Sequence, residues 1–193
     1  MKITLGLFHL QVDKVADQKQ RTFAAQKPKP PQMSSPLDRL VNESRVWIYG
    51  AERPLTEQES ITIKQRLQAF VNQWVSHRKE LHAAADVLHD RFLIVAVDES
   101  QAEASGCSID GSVHFLQELG AELGIDFFNR MIFSYRDGHG DIQTVPREEF
   151  KRLYQNGQLE NDTIVFDPLV KELGELRQIF ERPLEDSWHS RMV

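Results

Sequence analysis

The chain has 193 residues, 40% of them hydrophobic and 27% charged, and a formal net charge of −6. That is enough for one folded domain of moderate size with an appendage. The single cysteine excludes an internal disulfide and agrees with a reducing cytoplasm, and no stretch approaches the ~18 apolar residues of a membrane-spanning helix.

Charge is unevenly spread. Residues 1–32 hold six basic and two acidic side chains, net +4, which leaves −10 for residues 33–193. An acidic body speaks against nucleic-acid or anionic-lipid binding, since phosphates need clustered positive charge. Residues 1–12 hold one lysine ahead of a short apolar stretch, but His9 interrupts it and no small-x-small cleavage site follows, so export is not expected. Lys27-Pro28-Lys29-Pro30-Pro31-Gln32 reads as an extended linker. The expectation is a basic, disordered arm over 1–32 upstream of a functional start at Met33.

The body alternates strands and helices. Residues 45–49, β-branched and aromatic, read as a strand ending at Gly50. Thr56 and Glu59 form a capping box. Ile63, Leu67, Phe70, Val71 and Trp74 then predict a helix to about Ser76. Residues 81–88 suggest a second strand, and 91–98 a third, apolar enough to be central and covered on one or both faces. After a loop at 100–106, Ile109, Val113, Leu116, Gly120 and Leu123 share one helical face, with Gly124 as its stop. Residues 130–135 predict a fourth strand. This order predicts an α+β fold of the ferredoxin-like, split βαβ type, with an antiparallel sheet and both helices on one face, over residues 33–136.

Residues 137–193 predict a C-terminal αβα extension packed on that core. The loop at 137–141 precedes a strand at 142–145, and Pro146 suits a first helical position. Phe150, Leu153 and Tyr154 form a stripe closed by Gly157. Residues 163–166 predict a short strand, and Leu169, Leu173, Leu176 and Phe180 a last helix stopped near Pro183. Trp188 is expected to dock back on the body.

Chemical interest centres on Ala104-Ser105-Gly106-Cys107-Ser108-Ile109-Asp110-Gly111-Ser112. A cysteine at a helix start is favoured as thiolate, so Cys107 is a candidate nucleophile or redox sensor, with His189 as a base if the tail folds back. His114, two turns on, is too far for direct contact. Ser105, Gly106, Ser108, Asp110 and Ser112 either line an anion site or cap the helix, and capping is the routine use of such residues. Asp98, Glu99 and Glu103 are carboxylates at a strand end, available to a metal or to acid–base work, or simply a solvated turn. No histidine or cysteine spacing matches a transition-metal site, so no metal and no cofactor is expected. Arg45, Arg91 and Arg130 precede or open strands and could gather at one sheet edge.

Four phrases carry a family resemblance: Glu43-Ser44-Arg45-Val46-Trp47-Ile48-Tyr49, Val97-Asp98-Glu99, Ala104-Ser105-Gly106-Cys107-Ser108-Ile109-Asp110 and Asp186-Ser187-Trp188-His189. Over about residues 40–193 the chain resembles a family of small bacterial proteins commonly labelled ABC transporter ATPase. The label implies nucleotide hydrolysis, but the chain has no Gly-x-x-x-x-Gly-Lys-Ser/Thr loop. Gly106 and Gly111 have its spacing, and Ser112 stands where its lysine belongs. Residues 145–157 with 163–166 also resemble the strand–helix–strand of GYF-type peptide-binding modules, without their aromatic Gly-Tyr-Phe segment.

The reading that follows is a cytoplasmic, non-catalytic protein- or small-ligand-binding domain, with a sheet that allows a homodimer. The alternative is a thiol-dependent enzyme or redox sensor using Cys107. Nucleotide hydrolysis stands third and is disfavoured.

Overall fold

A computed structural model describes residues 35–193. The expectations for the arm and for a start at Met33 lie outside the described residues. Strand β1 (Arg45–Gly50) leads to helix α1 (Glu57–Val71). Thr56 caps α1 with the expected reciprocal box: its hydroxyl accepts from the Glu59 amide, and the Glu59 carboxylate accepts from the Thr56 amide at 2.8 Å. Arg53 grips the same carboxylate at 2.7 and 2.9 Å and holds its pKa down at about 2.

The helix stops at Val71, short of the predicted end at Ser76. Two short strands, β2 (Val75–Ser76) and β3 (Lys79–Glu80), form a hairpin there instead. Its turn residues His77 and Arg78 have φ of 50° and 66°, the left-handed values that two-residue hairpins require. Outside the helix, Trp74 turns inward, 5% exposed, and its indole donates to the Ser108 carbonyl at 2.8 Å.

Strands β4 (His82–Leu88) and β5 (Phe92–Asp98) are joined by three residues, His89, Asp90 and Arg91, the first two of which also have left-handed φ. The sheet order is β1-β5-β4, antiparallel throughout, with Arg45 opposite Val97 and His82 opposite Asp98. Central β5 is covered on both faces. Leu93, Val95 and Val97 pack against Ile63 and Leu67 of α1 and Leu116 and Leu119 of α2 (Gly106–Leu123). Phe92, Ile94 and Ala96 pack against Leu37, Phe166, Leu173 and Phe180. Both long helices therefore lie on one face, and the C-terminal segments cover the other.

The remaining elements are β6 (Ile132–Arg136), β7 (Ile142–Pro146), α3 (Arg147–Gln155), β8 (Ile164–Phe166), α4 (Leu173–Ile179) and β9 (Glu181–Pro183). The four strands make a second antiparallel sheet, β7-β6-β8-β9, around Phe133, Phe150, Val165 and Leu184. The α+β class and the antiparallel pairing are borne out. The first sheet has three strands rather than four, because β6 joins the second sheet. Two local causes stand out. The loop at 137–141 closes tightly, with the Asp137 amide bonded to the Asp141 carbonyl, and hands β6 an immediate partner in β7. The outer edge of β1 is meanwhile taken at its start by residues 171–173: the Val46 amide donates to Lys171 and the Leu173 amide to Ser44, both at 2.9 Å.

Two boundaries also shift. The last helix begins at Leu173, not Leu169, which is 58% exposed. Pro146 caps α3 rather than opening it. Among the described residues no helix is long and apolar enough to cross a membrane.

Candidate binding cleft

The phrase around Cys107 opens α2 as its spacing suggests. Ser105 is the N-cap, accepting from the Ser108 amide at 3.3 Å. The Ser108 and Ser112 hydroxyls donate to the carbonyls of Ser105 (2.8 Å) and Ile109 (2.7 Å). Ser105 thus caps the helix, while Ser108 and Ser112 bond back to its carbonyls and Ser112 also meets the Tyr49 hydroxyl. Gly106, Asp110 and Cys107 are exposed, and the thiol has no hydrogen-bond partner among the described residues.

His189 is not brought to Cys107. It is 1% exposed and stacked on Trp188 at 3.9 Å, with Phe133 and Phe150 beside it. None of its hydrogen-bond or ring partners lies on α2. The tail docks on the second sheet, where the Trp188 indole donates to Asp167 at 2.8 Å and Arg182 bonds the other oxygen of that carboxylate. His114 pairs with Glu118 on the outside of α2.

The other polar candidates also find local uses. Asp98 accepts from the Ser100 amide and pairs with His82 at 3.2 Å, and those contacts lower its pKa. Glu99 accepts from the Ala104 amide and lies 3.7 Å from Arg45. No group of three or more His, Cys, Asp or Glu among the described residues is placed to hold a metal. The three arginines do not converge. Antiparallel pairing puts Arg45 and Arg91 at opposite ends of β1 and β5. Arg91 is buried, its pKa lowered by desolvation, and it links the sheets by donating to Ile142 and Thr144.

The concave feature lies elsewhere. A cavity of about 310 Å³ opens between the edge of β1 and the start of β6, at the lower end of the size range of ligand pockets. Trp47, Phe128, Phe133, Leu169 and Trp188 give it apolar and aromatic walls. Ser134, Arg130 and His189 supply polar side chains.

His189 is the notable member. Its Nδ1 is 2.8 Å from the Ser187 hydroxyl, and its Nε2 has no hydrogen-bond partner among the described residues. Burial pushes its pKa down to about 4, a drop opposed by Asp167 and reinforced by Arg182. The ring is thus neutral at pH 7, and its free nitrogen donates or accepts according to the tautomer that Ser187 selects.

Two of the phrases singled out in the sequence, around Trp47 and around Trp188-His189, meet across this cavity. Nothing in the sequence ties them together, since about 140 residues separate them and neither carries a catalytic spacing. Comparison with protein-family models, curated proteins and solved structures finds no match for the chain.

Proposed function

We propose that the chain is a cytoplasmic, non-catalytic binding domain and that the cleft between β1 and β6 holds its ligand. The observation that carries this is the aromatic cavity, whose lining includes the buried, neutral His189. Apolar walls with a few fixed polar groups are what a ligand site needs for affinity and orientation. The thiol alternative gains little support, because His189, the base it called for, is packed among Phe133, Phe150 and Trp188 instead. Nucleotide hydrolysis gains none, since the Ser112 hydroxyl bonds within its own helix.

The test uses 1-anilinonaphthalene-8-sulfonate, an aromatic anion, as probe. Trp47 and Trp188 line the cleft, so bound probe takes energy from their fluorescence. One molecule binds per chain. Leu169→Asp alters an exposed wall and spares the core. Losing about 1.5 kcal/mol of apolar contact and adding charge repulsion weakens the probe at least ~10-fold. Equal affinity in that variant, or no saturable site, contradicts the proposal.

A further inference from the structure

The two edges of the first sheet are finished differently. Pairing fixes which backbone groups point outward. The Val46 amide donates away from β5, to Lys171, while the Ala51 amide donates to Arg91. Alternation along the strand then turns the N–H and C=O of Ile48 and Gly50 outward as well. Residues 171–173 satisfy the first part of this row and go no further, so among the described residues Ile48 and Gly50 have no outward partner. Across the cavity, the Arg147 amide donates to the Met131 carbonyl, so residues 131 and 133 face β7 and the backbone groups of Ile132 face the cleft.

The edge of β4 is blunted. Its outward Val87 amide is taken by the Asp86 carboxylate at 2.8 Å, and Lys64 and Ser35 hold that carboxylate in place. A carboxylate on an edge is a common device against strand addition. The edge of β1 has no such block and opens into an aromatic cavity. At the cavity's wall Arg130 is exposed and makes no hydrogen bond or ion pair with another described residue.

We propose that the occupant of the cleft is an extended peptide segment of a partner protein, which adds as a strand to β1 at Ile48 and Gly50. It places an apolar side chain among the aromatic walls and an acidic residue against Arg130. The assignment rests on the binding role proposed for this cleft and names its ligand class. A row of alternating backbone donors and acceptors is matched by another β-strand, which gains main-chain bonds from the edge and specificity from the side-chain pocket. The free Arg130 supplies the charge complementarity.

The test pans a phage-displayed library of random decapeptides on the full chain. Enriched sequences carry alternating apolar residues with at least one Asp or Glu, and a synthetic copy displaces anilinonaphthalene sulfonate. Gly50→Ala and Gly50→Pro then separate the edge from the pocket. A Cβ at Gly50 meets nothing closer than the Phe92 ring at 3.9 Å. Proline removes only an outward N–H, which an edge strand tolerates. The peptide binds Gly50→Ala within threefold of the natural chain and Gly50→Pro at least tenfold more weakly. N-methylating alternate residues of the peptide reproduces that loss in at least one of the two registers, whatever the proline does to the fold.

Equal binding to both variants and to both N-methylated peptides overturns the proposal. So does a concentration-dependent dimer whose formation expels the probe, which makes the occupant a second copy of this chain. If no peptide enriches while the probe still binds one to one, the peptide assignment fails and the cleft remains a ligand site. If the probe itself does not bind, both fail.

Discussion

His189 makes stability fall with acid in a defined window. The unfolded chain protonates this histidine near pH 6.5, whereas the folded chain resists until about pH 4. A lowered folded pKa means that stability is fully present above about pH 6.5 and is lost as pH falls toward 4. At about 1.4 kcal/mol per pKa unit the whole drop costs roughly 3 kcal/mol, about 2.5 kcal/mol of it by pH 4.5. Because the side chain is 1% exposed, solvent screening removes little of this. Asp167 and Arg182 are the charges that bear on the ring, and they act in opposite directions. The assay is urea unfolding of the natural chain and of His189→Gln at pH 7.5 and 4.5. Glutamine keeps a hydrogen-bonding side chain near Ser187 but does not titrate. The natural chain loses about 2.5 kcal/mol more than the variant over that interval. The depressed carboxyl of Glu59 acts mainly below pH 4.5 and is common to both proteins. Parallel losses in the two proteins refute the buried, neutral placement of His189.

Two further perturbations probe the frame. Gly120→Ala places a Cβ 2.5 Å from the Ile125 carbonyl oxygen, which is backbone already tied by the bond from Ile125 to Gly120. The expected loss is about 1–3 kcal/mol in chemical denaturation, despite alanine's better helix propensity. Cys107 is exposed, so one equivalent of thiol reacts with Ellman's reagent without denaturant. Cys107→Ser shifts stability by less than about 0.5 kcal/mol. A thiol that reacts only on unfolding contradicts its placement.

The sequence makes plain what is local. The capping box at Thr56 and Glu59, the αL stop at Gly124 and the apolar run of β5 each follow from neighbouring residues, and each is where the spacing predicts it. The early end of α1 is harder to read. Trp74 continues the helical stripe, and only its tertiary bond to Ser108 shows why the chain leaves the helix. Strand pairing across long separations is also illegible. Residues 171–173 claim the edge of β1, and that claim helps send β6 to a second sheet. The cleft suffers the same limit twice over. Its walls come from β1, β6 and the tail, and each contributes ordinary core-type residues. Cys107 stands out because it is unique in composition, whereas His189 matters through burial, which composition does not record.

The most direct test of the binding site is an NMR titration of the full chain with anilinonaphthalene sulfonate, following backbone amides. The account predicts that the amides of Ile48, Gly50, Ile132 and His189 shift together with one saturation curve, while those of Ser105, Cys107 and Ser112 stay in place. Shifts concentrated at the start of α2, with β1 and β6 silent, contradict it.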